Sequence, residues 1–322
     1  MTATLEIKNL CVDFGALRAL DGVSLRVNRG KILGLVGESG SGKSVTGMSI
    51  LKLLETPGKI TSGQVLFDGH DLVGADDKSM RKIRGNRISM IFQDPMMTLN
   101  PVLRVGTQMV EAVLAHEKTS KVEAVRRARD ALGAVGIGSP EERLAAYPHQ
   151  FSGGMRQRVV IAIALLHKPD LIVADEPTTA LDVTIQAQIL SEIQKLTRER
   201  NTALIWISHD LSVVAGLADE IAVMYSGKVV ETGSTDAVLD KTLHPYTHGL
   251  IGSVPSRNLR GRRLHQIPGV TPSIDKRPSG CPFHPRCRKA DEMCTSAPPV
   301  SEPEPGHVTR CFHPITRQSK VA

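Results

Sequence analysis

The sequence predicts a doubly wound α/β fold, and two observations support this prediction. Short apolar runs recur between stretches with helical spacing, a pattern typical of parallel strands joined by helices. One such run, Ile32–Val36, leads into a glycine-rich loop and then a helix start, which is the strand–loop–helix order of a phosphate-binding loop. The chain has 322 residues, enough for a large domain with a smaller one attached.

The glycine-rich loop fits the pattern G-x-x-x-x-G-K-[ST] at every position from Gly37 to Ser44. In such a loop the backbone N–H groups and the positive end of the following helix form an anion site. Lys43 would add a positive charge there, and the Ser44 hydroxyl could coordinate Mg²⁺. We therefore predict that this loop binds ATP through Gly37, Ser39, Gly40, Ser41, Gly42, Lys43 and Ser44.

A second apolar run, within Asp170–Pro177, ends in two adjacent acids, Asp175 and Glu176. Beside a nucleotide, a bound metal keeps the first acid ionised while the second faces the nucleophile. We predict that Asp175 joins the Mg²⁺ shell and that Glu176 polarises the attacking water.

With these residues in place, the chain is similar to the nucleotide-binding subunits of ABC transporters. The resemblance implies that Gln93 touches Mg²⁺ and couples the site to membrane subunits, that His209 contacts the γ-phosphate, and that Phe14 stacks on adenine. The motifs occur in the family's order along the chain: Gln93 in Ile91–Pro95, the signature loop Ser152, Gly153 and Gly154, the D-loop ending at Asp182, and His209 in Ile207–Asp210. The implied catalytic residues are Glu176, His209 and Lys43.

Two positions depart from the commonest family pattern. Phe14 stands where tyrosine is usual, and the signature has Phe151 and Met155 where leucine and glutamine are usual. Phenylalanine still offers a π-face to adenine, and in the family the signature's serine and glycine amides are the groups that bind phosphate. The resemblance implies that they bind the ATP of a second subunit.

The resemblance also implies the ABC-ATPase form of the P-loop NTPase fold: a doubly wound core, an antiparallel β subdomain and a helical subdomain at about 97–165. The sequence from Asn100 has helical spacing of its own. Ser120 and Glu123 form a capping box, and Gly136 ends that helix. Two apolar faces are expected, one with Val102, Val105, Met109, Val110 and Val113, the other with Val125, Ala128, Leu132 and Val135.

After about Leu239 the composition shifts towards Pro, His, Arg and Cys. We predict an ABC nucleotide-binding domain at 1–240 and a small Cys-rich C-terminal extension at 241–322. Segments at His244–Thr247, Ile267–Pro272 and Gly280–Cys287 resemble the extension of the ATPase subunits of dipeptide, oligopeptide and nickel importers. The match is closest to the D-type subunit of a dipeptide or oligopeptide permease.

Four of the five cysteines lie in the extension, at Cys281, Cys287, Cys294 and Cys311. Four thiolates suit a [4Fe–4S] cluster or a structural zinc ion, although the close C-x₂-C pair usual in zinc sites is absent. A reducing cytosol disfavours disulfides. The resemblance favours the iron–sulfur cluster. Zn²⁺, a set in which His284, His307 or His313 replaces a cysteine, and free thiols remain alternatives, while Cys11 is expected in the core.

The composition predicts a protein without a membrane span, because no apolar run approaches about 18 residues. Met1–Glu6 does not resemble a signal peptide, so we expect the chain to stay in the cytoplasm. The resemblance implies a peripheral position on the cytoplasmic face of the inner membrane. The net charge is +7, but basic residues are dispersed and aromatics make up only 3% of the chain. Because base-stacking platforms are scarce, we expect no nucleic-acid partner.

The resemblance implies an ATP hydrolase that energises an importer of di- or oligopeptides. The implied partners are a second ATPase subunit of the related F-type, two transmembrane permease subunits and, indirectly, an extracytoplasmic substrate-binding protein. Nickel chelates, glutathione and oligosaccharides are alternative cargoes. Alternative classes are a soluble ABC-type ATPase acting on nucleic acid or the ribosome, and a stand-alone metal-binding regulator.

Overall fold

The computed structural model describes residues 3–94, 98–178, 183–254, 258 and 266–315. Its strands are β1 (Ala3–Phe14), β2 (Leu17–Asn28), β3 (Ile32–Val36), β4 (Gly58–Phe67), β5 (His70–Asp71), β6 (Ile88–Ile91), β7 (Leu171–Asp175), β8 (Ala203–Ser208), β9 (Glu220–Tyr225), β10 (Lys228–Ser234), β11 (Val300–Glu304) and β12 (His307–Arg310). Its helices are α1 (Lys43–Ile50), α2 (Asp77–Ile83), α3 (Val105–Leu114), α4 (Lys121–Ala134), α5 (Pro140–Leu144), α6 (Gly153–Leu165), α7 (Val183–Arg200), α8 (Leu211–Ala215), α9 (Thr235–Asp240) and α10 (Pro245–Gly252).

The chain forms two compact units. One contains Met1–Thr4, Asn28–Lys31 and Gly74–Ile205, and the other contains Leu5–Val27, Ile32–Val73 and Trp206–Ala322. Strand β8 continues from one unit into the other, since the boundary follows Ile205.

The unit that carries the phosphate loop contains antiparallel and parallel pairings. Strand β1 pairs antiparallel with β4, which pairs antiparallel with β5, in a four-stranded sheet of order β2-β1-β4-β5. This sheet corresponds to the expected antiparallel β subdomain. Strand β3 pairs parallel with β9. A hairpin at Ser226 and Gly227, both with positive φ (45° and 77°), then joins β9 to β10.

The extension continues the β-structure of this unit. Strand β12 pairs antiparallel with β10, where Glu231 faces Thr309, and β11 pairs with β12. Between these strands and α10, the extension runs through short 3₁₀ turns: Ile274–Lys276, His284–Arg286 and Glu292–Thr295. The proposed division at about residue 240 therefore falls between two strands that are paired with each other.

In the other unit, β6 and β7 pair in parallel, and α3 to α6 fill the predicted helical stretch. Ser120 caps α4 by accepting a hydrogen bond from the Glu123 N–H at 3.2 Å. The reciprocal half of the predicted capping box is replaced, because the Glu123 carboxylate pairs with Arg126 at 2.6 Å.

Two valines predicted for buried helical faces are exposed. Val102 precedes α3 and is 75% exposed, and Val125 on α4 is 41% exposed while its neighbour Ala124 is buried. Helix α6 is largely buried from Val159 onward, as its apolar run predicts. Within the described ranges, none of the helices has the length and apolar character needed to span a bilayer.

Candidate nucleotide-binding site

The phosphate loop connects β3, in which every residue is buried, to α1. Gly42 is the N-cap of α1 in the left-handed conformation (φ 103°), and no side chain caps this helix. A Cβ at Gly37 would lie 2.2 Å from the Met224 carbonyl oxygen, so this position requires glycine. Because no side chain caps α1, the N–H groups of its first turn can receive phosphate oxygens.

Lys43 and Ser41 are both buried in this loop. The Lys43 ammonium, 5% exposed, donates to the carbonyl oxygens of Gly37 at 2.8 Å and Glu38 at 3.1 Å. The Ser41 N–H donates to the same Glu38 carbonyl at 3.2 Å, and the Ser41 side chain is fully buried. Ser41 therefore stabilises the loop conformation, whereas the Lys43 ammonium lies where it can bind an anion.

The two acids lie at the end of β7, which is buried throughout. Asp175 is 4% exposed. Glu176 follows in the left-handed region (φ 45°), an uncommon conformation for a residue with a side chain, and its carboxylate accepts a hydrogen bond from Gln93 Nε2 at 3.2 Å. The structure thus brings Gln93 and Glu176 together, and strain of this kind is concentrated at functional sites.

The signature loop opens helix α6. Ser152 caps the helix, because its Oγ accepts from the Met155 N–H at 3.3 Å. Arg156 Nε donates to the Pro148 carbonyl at 2.8 Å, and Phe151 is only 3% exposed. Ser152 and Gly153 themselves are exposed, so the loop presents its serine and glycine to the outside on a locally fixed backbone.

The remaining predicted residues lie at strand ends or outside the described ranges. His209 follows β8 and is exposed. Phe14 ends β1, and its ring lies close to Gly58, where a Cβ would be 2.7 Å from ring atom Cε1. Asp182 of the D-loop lies outside the described residues.

Prediction from sequence missed one element of this site, the side-chain support of Glu38. The Glu38 carboxylate accepts two hydrogen bonds from Arg286, at 2.5 and 3.0 Å, and one from Thr271 at 2.5 Å. Arg286 lies in the extension, 248 positions away. No local pattern indicates this pairing, because a motif records the loop's backbone requirements and not the partners of its variable positions.

Two of the four extension cysteines, Cys281 and Cys294, meet through their backbones. The Cys281 N–H donates to the Cys294 carbonyl at 3.0 Å. Gly280, with φ 87°, permits this approach, since a Cβ there would lie 2.4 Å from the Thr295 carbonyl oxygen. Burial, followed by the nearby Cys281, Cys287 and Cys294 sulfurs, raises the pKa of Cys311 to about 11. Cys11, outside this group, is buried as expected.

Two of the histidines considered as alternative ligands make defined contacts. His307 is buried, and its Nε2 lies 2.8 Å from a Glu231 carboxylate oxygen. His313 Nε2 lies 2.9 Å from Asp291. The ligand atoms of Asp291, Cys294 and His313 fall within 4.8 Å of one another, so the extension also holds a mixed donor group.

Comparison with known proteins identifies the class of this chain. The family profile described as ABC transporter matches residues 20–179, and the profile described as Oligopeptide/dipeptide transporter, C-terminal region matches residues 230–294. A dimeric bacterial ABC transporter cassette superposes with a TM-score of 0.65 at 29% identity, over 72% of this chain and 98% of the cassette. A post-hydrolysis state of that cassette, bound to ADP and Pi, gives the same values. The class is therefore the ABC ATPase, with the α/β cassette fold and ATP as its substrate.

Full-length relatives narrow the class further. The oligopeptide transport ATP-binding protein OppD of Escherichia coli (strain K12) is 46% identical over 317 residues, covering 97% of this chain and 94% of the relative. The dipeptide transport ATP-binding protein DppD of Bacillus subtilis (strain 168) is 50% identical over 299 residues, covering 91% and 89%. The chain belongs to the family of ATP-binding subunits of oligopeptide and dipeptide ABC transporters. These similarities do not favour the nucleic-acid, ribosome or regulator alternatives.

Proposed function

We propose that this chain hydrolyses ATP to energise an importer whose cargo is a di- or oligopeptide. The observation that supports peptide cargo is similarity along the whole chain, including the C-terminal region profile that matches residues 230–294. Nickel chelates, glutathione and oligosaccharides are less well supported, since the relatives named above are oligopeptide and dipeptide transport proteins.

Each predicted site residue has a role in this proposal. The loop from Gly37 to Ser44 holds the phosphates, with Lys43 as the buried cation. Bound Mg²⁺ would neutralise developing phosphate charge, and Ser44, Gln93 and Asp175 carry the donor atoms suited to it. Glu176 orients and polarises the attacking water, and its hydrogen bond from Gln93 supports this assignment. His209 contacts the γ-phosphate and Phe14 stacks on adenine.

The second ATPase subunit completes each site. In the proposal, the exposed Ser152 and Gly153 and the partly buried Gly154 bind the ATP of the partner subunit, and Asp182 contributes to the same interface. The similarity to a cassette solved as a dimer supports this arrangement. The partner is an F-type ATPase subunit, and two transmembrane permease subunits, supplied with cargo by a substrate-binding protein, hold the pair at the cytoplasmic face of the inner membrane.

The four extension cysteines hold a [4Fe–4S] cluster in this proposal. Their donor set fits such a group: Cys281 and Cys294 are buried, and the Cys311 sulfur accepts a hydrogen bond from the His313 N–H at 3.3 Å, a contact of the kind that tunes clusters. Four cysteine sulfurs are equally the donor set of a structural zinc ion. What favours the cluster is the resemblance of the extension to that of the peptide-importer ATPases.

Anaerobic purification tests the cluster. The proposal predicts a brown protein with about four iron atoms per chain and visible absorption that dithionite bleaches. Replacement of Cys287 by serine should lower the iron content. Stoichiometric zinc without iron would support the zinc alternative, or the mixed group of Asp291, Cys294 and His313.

Transport in reconstituted membranes tests the cargo and the coupling. The chain is co-purified with its permease and partner ATPase subunits and placed in liposomes with the cognate binding protein. ATP hydrolysis should rise when a peptide-loaded binding protein is added, and labelled peptide should accumulate. Stimulation by a nickel chelate, glutathione or an oligosaccharide, with no response to peptides, would contradict the proposed cargo.

A further inference from the structure

Every polar group of Glu38, the second residue of the phosphate loop, contacts a defined partner. Its carboxylate accepts the paired hydrogen bonds of Arg286 and the hydroxyl hydrogen of Thr271. Its N–H donates to the Tyr246 hydroxyl oxygen at 2.9 Å. These three partners all belong to the extension, at sequence separations of 208 to 248 residues. A single loop residue is thus attached to the far end of the chain.

Arg286 is itself fixed in place. Its side chain is 4% exposed, its Nε donates to the Pro268 carbonyl at 2.8 Å, and its Nη1 lies 3.3 Å from the Tyr225 hydroxyl. The guanidinium also lies 5.8 Å from the centre of the Tyr225 ring and 6.0 Å from that of Phe283. A buried two-point contact between a guanidinium and a carboxylate fixes orientation as well as distance.

The backbone of Glu38 connects this support to the phosphate site. The Glu38 carbonyl accepts hydrogen bonds from Lys43 Nζ and from the Ser41 N–H. The position of Glu38 therefore sets the position of the lysine that serves the anion. We propose that Arg286 is a positioning residue for ATP binding, which holds the phosphate loop in its binding conformation through Glu38.

Charge gives Arg286 a second effect on the same site. The Glu38 carboxylate is close enough to Lys43 for the two charges to interact. Without the guanidinium, this carboxylate would be a half-buried, uncompensated negative charge beside a site for polyphosphate. Arg286 thus both orients the loop and removes a repulsion between Glu38 and ATP.

Titration of the full-length chain with the non-hydrolysable analogue AMP-PNP and Mg²⁺ tests the proposal. Arg286→Gln should raise the Kd for AMP-PNP about tenfold, because it removes the positioning contact and exposes the Glu38 charge. Adding Glu38→Gln to this variant should bring the Kd back to within about threefold of the wild type, because the repulsion disappears. Arg310→Gln is the matched control, since Arg310 is a part-buried arginine of the extension that contacts the Gly22 carbonyl at 3.4 Å; its Kd should match the wild type.

A wild-type Kd for Arg286→Gln, an equal rise for Arg310→Gln, or a double variant that binds no more tightly than Arg286→Gln would overturn the proposal. If Arg286→Gln does not fold, Thr271→Val is the variant that tests the proposal. It removes one hydrogen bond to Glu38 and should raise the Kd for AMP-PNP about threefold. An unchanged Kd would overturn the proposal. The inference rests on the proposed ATP site, which Lys43→Ala tests separately. Binding lost in Lys43→Ala but unchanged in Arg286→Gln refutes only the inference, whereas binding unchanged in Lys43→Ala refutes the site itself.

Discussion

The two glycine-rich loops of this chain both open a helix, but they are supported differently. The signature loop is held by its neighbours: Ser152 caps α6 through Met155, and Arg156 bonds to Pro148 eight positions away. The phosphate loop has no side-chain cap, and Glu38 within it is held by Arg286 and Tyr246, more than two hundred positions away.

This difference concerns the N–H groups that each helix start keeps for phosphate. The Ser152 cap takes only the Met155 N–H and leaves those of Gly153 and Gly154 for the partner's ATP, whereas α1 has no side-chain cap and its loop is stabilised from elsewhere. In this chain that stabilisation comes from the extension. We therefore expect changes in the extension to affect the phosphate loop and to leave the signature loop unchanged.

The largest effect is expected for Glu176→Gln, which should impair ATP hydrolysis without weakening ATP binding. Glu176→Gln should lower ATP turnover at least about 100-fold, because an amide cannot accept the proton of the attacking water. Affinity for ATP should be retained, since the loop and its support by the extension are intact. Steady-state hydrolysis and equilibrium binding measure the two effects.

Glu199→Gln is the control for this variant, because Glu199 is an exposed carboxylate on α7. It should hydrolyse ATP at the wild-type rate. Turnover by Glu176→Gln at that same rate would refute the catalytic role of Glu176.

Acid should weaken the support that the extension provides. Burial, partly offset by Glu231, lowers the pKa of His244 to about 4 from 6.5. Between these values the unfolded chain binds a proton that the folded chain excludes. The free energy of unfolding should therefore fall by up to about 3 kcal/mol from pH 6.5 to pH 4 on account of His244.

Chemical denaturation across this pH range measures the effect. In His244→Asn the decline should be smaller by that amount, because asparagine can still accept the Tyr246 N–H at the start of α10 but does not titrate. His70→Asn, at an exposed histidine, should decline as the wild type does. An identical decline in His244→Asn and the wild type would show that His244 is not the group responsible.

Loss of the proposed cluster should weaken nucleotide binding at the phosphate loop. Cys287 directly follows Arg286, so a change of backbone at this cysteine displaces the guanidinium that holds Glu38. Oxidative removal of the cluster should raise the Kd for AMP-PNP about fivefold, part of the effect of Arg286→Gln. Visible absorption and titration are followed on the same sample, and a complete loss of absorption with an unchanged Kd would rule out this connection.

The smallest effect should come from the signature cap. Ser152→Ala should cost about 1 kcal/mol of stability, as the loss of a serine cap does elsewhere. Ser120→Ala on α4 removes a cap of the same kind and should cost the same. Only Ser152→Ala should weaken ATP-driven association with the partner ATPase, measured by sedimentation. Equal association of the two variants would contradict the role of Ser152.

Local features of the fold followed from sequence. The loop at Gly37–Ser44, the strand ending at Asp175 and the hairpin at Ser226 lie where periodicity and turn residues predict them. Helical spacing did not predict correctly which residues are buried near the starts of the helices. Val102 falls before the first turn of α3, and Ala124 is buried where Val125 was expected. The family motifs assign residues to the nucleotide site because each motif is local, and these assignments stay predictions.

The support of the site could not be predicted in this way. The pairing of Glu38 with Arg286 depends on how residues 248 positions apart meet in the fold, and neither has an unusual sequence context. The pairing of β12 with β10, which brings His307 into contact with Glu231, could not be predicted from sequence either. A pattern of Pro, His, Arg and Cys indicates a change of structure but does not indicate where it packs.

Hydrogen–deuterium exchange of the two loops tests most directly whether the extension supports one and not the other. Peptides covering residues 37–44 and 152–156 are compared in the full-length wild type and in Arg286→Gln, without nucleotide. We predict faster exchange at 37–44 in the variant and unchanged exchange at 152–156. Unchanged exchange at 37–44, or an equal increase in both loops, would contradict the account.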